Sequence, residues 1–129
     1  MLSESFSVRF YETDALQHVS NTVLAGWFEA AREPVFKVFT PDLDLKNWPL
    51  ILASYTIDFV AQIYYGKPVT LKTGVSRIGG SSFDVYQEVW QDDVLCAKGK
   101  TTMVHFDYRE QKSRPIEGDT KMALESLKV

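Results

Sequence analysis

The sequence predicts an α+β fold in which an antiparallel sheet wraps one central helix, and three observations predict it. Apolar residues recur at helical spacing from Val23 to Phe36, then switch to a period of two from Leu50 to Tyr108. The helical stretch is apolar around most of its circumference, as a helix covered by a sheet must be. Short turns rich in Gly, Ser and Asp separate the later segments, which predicts an antiparallel meander.

The elements follow in chain order. Residues 4–12 read as a strand with Phe6, Val8 and Phe10 on one face. Residues 13–20 (TDALQHVS) break the alternation and read as a loop. Ser20 or Asn21 then offers a helix N-cap, and Val23, Leu24, Trp27, Phe28, Ala31, Val35 and Phe36 follow on the buried side. Glu29, Arg32 and Glu33 form a narrow polar edge, on which Glu29 and Arg32 are spaced to pair. Pro34 predicts a kink, or a helix end with a short continuation. After a connecting loop at 40–49, strands are expected at 50–64, 68–78, 83–91 and 94–108, giving five in all, with turns at Gly66–Lys67, Gly79–Ser82 and Asp92–Asp93. A short helix is expected at 119–127, with Met122, Leu124 and Leu127 inward.

Composition narrows the function. The 129 residues suit one domain, and 45% apolar content with 13% aromatics supports a packed core. A formal charge of −3 argues against a dedicated nucleic-acid binder while leaving room for a local basic patch. The lone cysteine, Cys96, leaves no internal disulfide, which suits a cytoplasmic setting. The first residues lack a basic segment followed by an apolar run, and no apolar stretch reaches the ~18 residues of a membrane span, so neither a signal peptide nor a membrane partner is expected. His18, His105 and Cys96 lack ligand spacing, so no metal is expected. There is no phosphate-binding loop, dinucleotide fingerprint or Gly-x-Ser-x-Gly elbow.

The stretch from Tyr11 to Arg32 carries the chemistry. It places Asp14, His18 and Asn21 in a loop that runs into the start of the buried helix. A helix start leaves N–H groups unpaired and carries partial positive charge. In a cleft those donors can hold an oxyanion, and a nearby carboxylate can attack a polarised carbonyl or activate water against it. Taken by position alone, an Asp such as Asp14 is more often a turn former or cap than a catalyst, a lone His such as His18 is usually a surface or structural hydrogen-bonding residue, and Asn21 reads as a cap.

The string Tyr11-x-x-Asp14-x-x-Gln17-His18-Val19-Ser20-Asn21, followed by Trp27-Phe28-Glu29-x-Ala31-Arg32, resembles the hotdog-fold thioesterases, in particular the 4-hydroxybenzoyl-CoA and acyl-CoA thioesterase groups. The resemblance continues through Tyr64-Tyr65-Gly66-Lys67-Pro68-Val69 and Arg77-Ile78-Gly79-Gly80-Ser81-Ser82-Phe83. It implies hydrolysis of an acyl-CoA or acyl-carrier thioester, with no cofactor beyond the coenzyme A of the substrate. It implies Asp14 as nucleophile or general base, the Asn21 N–H as oxyanion donor and His18 as an orienting residue. Ser20, Leu24, Tyr64, Lys67, Arg77, Ser81 and Ser82 are then expected at the substrate, with Lys67, Lys72 and Arg77 facing its phosphates. Trp27, Phe28, Phe59 and Tyr64 are expected to line or back an acyl tunnel, and the clefts to lie between subunits of a homodimer or homotetramer. Three departures stand out: Ser20 for the first Asn of the usual pair, Leu24 where a Tyr is common, and Phe59-Val60-Ala61-Gln62 where relatives often carry Arg-Pro. A hydratase or dehydratase of the same fold and a non-catalytic acyl-thioester binder are the alternatives. The first lacks its usual His followed by a Pro- and Gly-rich stretch, and the second has no use for Asp14.

Overall fold

Alternating β-branched and aromatic residues set the frame, and the computed structural model describes all 129 residues. The strands are β1 (Leu2–Ser7), β2 (Leu50–Phe59), β3 (Pro68–Ile78), β4 (Ser82–Gln91), β5 (Val94–Asp107) and β6 (Lys112–Ser113). The helices are α1 (Asn21–Ala31), α2 (Glu33–Phe39) and α3 (Gly118–Ser126). The sheet path is β1-β3-β4-β5-β2, all antiparallel, with the two-residue β6 folded back onto the end of β5. The expected five strands are present, and β6 is an addition that the alternation did not reveal.

The expected meander is corrected at one joint. β2 does not pair with β3; it lies at the far edge against β5, with Leu50 opposite His105 and Phe59 opposite Ala97. Residues 60–67 are an arch rather than a turn. The Val60 and Ala61 N–H groups donate to the Cys96 carbonyl, and the Val19 N–H donates to the Ile63 carbonyl. The arch therefore passes beneath the start of α1, and the strand expected to reach Tyr64 stops at Phe59. Register shifts at Leu52/Ser54, Val75/Arg77 and Val89/Trp90 add local bends that help the sheet curl around the helix.

β1 also ends earlier than expected. Glu12 turns back so that its carboxylate accepts the Arg9 N–H (2.7 Å) and the Arg9 guanidinium (3.0 Å), closing a 3₁₀ turn at Phe10–Glu12. Phe10 is left 73% exposed, edge-on to Tyr65. The break at Pro34 takes the form of a helix end with a short continuation: α1 stops at Ala31, and Pro34 opens α2, where its missing N–H costs nothing.

The core has two parts. Leu24, Trp27, Phe28 and Ala31 of α1 pack on Val69, Leu71, Val89 and Ala97 of the sheet. Val35, Leu50, Val75, Phe83, Met103 and Leu124 form the second cluster, under α2 and α3. β4 places Phe83, Val85, Gln87, Val89 and Gln91 inward, as its alternation requires. Two expectations are corrected here. Met122 is 66% exposed, because only Leu124 of α3 reaches the core. The helix α1 is covered on one side only, and Gly26, Glu29 and Ala30 remain open. No helix is long and apolar enough to cross a membrane.

Candidate active site at the start of the central helix

Asp14 opens a loop held in place at several points. Its N–H donates to the His18 carbonyl (2.8 Å), and its own carbonyl accepts the Gln17 N–H (3.1 Å), with Gln17 in the left-handed region. Bridges pair Thr13 with Val19 and His18 with Tyr64, and the Tyr65 N–H donates to the Gln17 carbonyl. The loop thus rides on the arch. His18 and Tyr64 meet edge-to-face, with ring centroids 5.0 Å apart. Asp14 Oδ1 accepts the N–H groups of Leu16 (2.8 Å) and His18 (3.2 Å), while Oδ2 accepts no hydrogen bond from the chain. One oxygen is held by the loop's own N–H groups and the other is free.

The start of α1 is open. Ser20 makes no side-chain cap bond and meets the Thr22 hydroxyl instead (3.1 Å). The Val23 N–H donates to the Ser20 carbonyl, whereas the N–H groups of Asn21 and Thr22 have no acceptor in the chain. Unpaired first-turn donors of this kind are where an oxyanion binds. A cavity of about 210 Å³ lies alongside, walled by Asn21, Leu24, Phe59, Val60, Ile63 and Cys96. Burial pushes the Cys96 thiol up, which leaves it a poor nucleophile. Asp14 itself is exposed in the isolated chain and does not line this cavity.

Below the loop sits Glu12, which the sequence reading passed over. It is 3% exposed, and its carboxylate also accepts the Trp27 indole N–H at 2.6 Å. That bond joins the base of the Asp14 loop to the middle of α1. The available signal was Trp27 itself, since a buried indole needs an acceptor. Trp27 is therefore core and does not line a tunnel.

The remaining expected residues divide by position. Ser20, Leu24 and Tyr64 gather around the helix start with Asp14, His18 and Asn21. Lys67 lies near the same end, bound to Asp92 (2.6 Å). Arg77, Ser81 and Ser82 lie at the opposite end, because β3 has 11 residues and its ends are roughly 33 Å apart. Arg77 grips Asp84 through Nε (3.0 Å) and Nη2 (3.2 Å) and bonds Ser82 Oγ (2.9 Å). Burial pushes the Asp84 carboxyl up, but hydrogen bonds from Arg77 and Thr102 outweigh it and hold the group below the usual carboxylate range. Lys72 lies over the Trp90 ring.

The expected Glu29–Arg32 pair does not form. Arg32 turns inward, and its Nη1 donates to Gln87 (3.3 Å) and Thr101 (3.2 Å). Gln87 in turn donates to the Phe28 carbonyl (2.9 Å), so sheet side chains satisfy the end of α1. A second cavity of about 290 Å³ lies along the open side of α1, between Gly26, Phe28 and Arg32 and the β2 residues Leu52, Tyr55 and Ile57.

A family model described as the thioesterase-like superfamily matches residues 8–124. The chain belongs to that superfamily. Among solved structures, a predicted thioesterase from Bacillus stearothermophilus superimposes with a TM-score of 0.94 at 38% identity, covering 98% of this chain and 96% of that one. A thioesterase from Thermus thermophilus, solved with coenzyme A and Zn, gives 0.84 at 25% identity, covering 97% and 92%. The uncharacterized protein YsmA of Bacillus subtilis (strain 168) is 29% identical over 80 residues, 62% of this chain. The chain spans about half (54%) of the length of that relative. The curled sheet around α1 is thus the hotdog fold of a thioesterase family, and thioester hydrolysis is the chemistry these likenesses support.

Proposed function

We propose that this chain is an acyl-CoA thioesterase in which Asp14 is the nucleophile or general base. The observation that carries the reading is an oriented carboxylate with one free oxygen, on a loop that leads into unpaired helix-start amides beside an apolar cavity. As a base, Asp14 takes the proton from water as the water attacks the thioester carbonyl. As a nucleophile, its Oδ2 bonds to that carbon, coenzyme A leaves as the thiolate and water cleaves the resulting anhydride. In both routes the Asn21 N–H faces the developing oxyanion. His18 orients the loop. Ser20, Leu24 and Tyr64 border the acyl end, and no resident metal or prosthetic group takes part.

The exposure of Asp14 calls for a second copy to complete the site. β2 is a ten-residue edge strand with no outer neighbour, and Leu52 (46%), Tyr55 (54%) and Phe59 (52%) are exposed along it. Such edges are normally blunted or paired. Pairing two β2 edges about a twofold axis also covers the open side of α1. It brings the Leu50 end of one subunit, with its Arg77, Ser81 and Ser82 turn at the same end of the sheet, toward the helix start of the other. The proposed unit is a homodimer, alone or doubled into a tetramer, in the cytoplasm.

The test is Asp14→Asn against a panel of acyl thioesters, with release of free thiol as the readout. Turnover should fall about a hundredfold or more while circular dichroism stays unchanged. Undiminished thiol release would remove Asp14 from the mechanism.

A further inference from the structure

The cavity on the open side of α1 has a charged wall. Arg32 forms it, and that residue is only 5% exposed. Its Nη1 donates to the Gln87 amide oxygen and the Thr101 hydroxyl, both neutral. Nε is buried with no acceptor, and no group of the chain accepts a hydrogen bond from Nη2. Glu29, the one carboxylate at this cavity, is exposed and makes no ion pair. Burial pushes the Arg32 pKa down, against the pull of Glu29 and Tyr55, but a guanidinium stays protonated in a protein. A buried cation without a counter-ion is costly to keep.

The unused edge of this guanidinium has a natural complement. Nε and Nη2 form the side that matches both oxygens of a carboxylate. Arg77 makes that match in the same chain, holding Asp84 through Nε (3.0 Å) and Nη2 (3.2 Å). At Arg32 no residue of the chain takes the same edge.

Position ties this edge to the helix start. Thr101 stands opposite Tyr55 in the β5–β2 register, so the Arg32 guanidinium lies level with Tyr55. Ile57 and Phe59 follow on the same face of β2. Ile57 walls this cavity, and Phe59 walls the one beside Asn21. On α1, Phe28 of this cavity lies one turn beyond Leu24 of the other. The two hollows therefore succeed one another in the groove between α1 and β2. Four residues of strand, about 13 Å, separate the level of Tyr55 from that of Phe59.

We propose that Arg32 is a specificity-determining residue that receives a terminal carboxylate on the acyl group, so that the preferred substrate is the half-thioester of a dicarboxylic acid. The assignment rests on the thioesterase reading. The thioester carbonyl sits at the helix-start amides, the methylene chain runs past Leu24, Phe28 and Ile57, and the far carboxylate takes Nε and Nη2.

The test compares coenzyme A thioesters of equal chain length that end in a carboxylate or in a methyl group. The native protein should favour the carboxylate end by about tenfold or more in kcat/KM. That advantage should peak where the acyl group spans about 13 Å. Arg32→Lys keeps the charge but loses the paired donors, and should lower the preference about tenfold with the methyl-ended rates unchanged. Arg32→Met should abolish it. A native preference for the methyl end, or equal losses on both series in the variants, makes Arg32 a structural residue and overturns the assignment. Should neither variant fold, the native preference and its length dependence decide. If Glu29→Gln halves the native mass by light scattering, a second copy supplies the counter-ion and the assignment also falls. If the native protein cleaves no thioester, the thioesterase reading fails separately and calorimetry with octanoate and octanol decides the site. Octanoate binding that is lost in Arg32→Lys, with none for octanol, supports it. Equal binding of the two, octanoate binding that survives in Arg32→Lys, or no binding overturns it.

Discussion

Replacing Glu12 with Ala should reveal how the Asp14 loop is anchored. The carboxylate is 3% exposed and accepts three donors: the Trp27 indole at 2.6 Å, the Arg9 N–H at 2.7 Å and the Arg9 guanidinium at 3.0 Å. These are not equal. The Arg9 side chain is 49% exposed, so water replaces much of that interaction and its loss costs under about 1 kcal/mol. Trp27 is 4% exposed, and its orphaned N–H has no other acceptor, which costs about 1–3 kcal/mol. With the Arg9 N–H added, Glu12→Ala should destabilise the fold by about 3 kcal/mol. For a domain of this size, that is a fall in Tm of roughly 10 °C by differential scanning fluorimetry. Glu12→Gln keeps the shape and one acceptor, and should cost about half as much. Arg9→Ala should cost under about 1 kcal/mol. The reasoning is refuted if Glu12→Ala leaves Tm within roughly 2 °C of the native protein, or if Arg9→Ala costs as much as Glu12→Ala.

Two further outcomes are expected. Leu52→Lys/Tyr55→Lys places four cations along a seam of two β2 edges, so light scattering should show half the native mass with circular dichroism preserved and turnover lost; an unchanged mass would move the interface elsewhere. Because the folded Asp84 carboxyl lies below its unfolded value of about 3.9, its contribution to stability is present above that pH and is lost as pH falls through the lower folded value. Asp84→Asn should therefore flatten the acid limb of the urea midpoint plotted against pH, and an equally steep limb in both proteins would count against the Arg77–Asp84 grip.

Much of the fold was legible because its signals are local. The alternation in β4 named its inward residues correctly, since side chains on a strand must alternate. Pro34 marked the end of α1, since proline lacks the N–H that a continuing helix needs. The partnership of β2 was not legible. Residues 60–64 continue the strand pattern and Gly66–Lys67 resembles a tight turn, and only hydrogen bonds to Cys96, Val19 and Gln91, all distant in sequence, reveal an arch. Arg32 misled for the same reason: spacing along the helix suggested Glu29, while Gln87 and Thr101 came from across the sheet. The Asp14 loop was placed correctly, whereas Glu12 stayed hidden because its partner stands 15 residues away on another element.

Residue order alone settles that one long helix is followed by a series of alternating strands, that Asp14 and His18 lie in the loop before that helix with Asn21 at its start, and which family pattern they follow. Those properties depend on neighbours a few residues apart. Two others emerge only when the chain is folded: the helix-start amides stay unpaired and β2 is left as an open edge. Each of these depends on which groups are absent from a given point in space, and spacing along the chain carries no record of that.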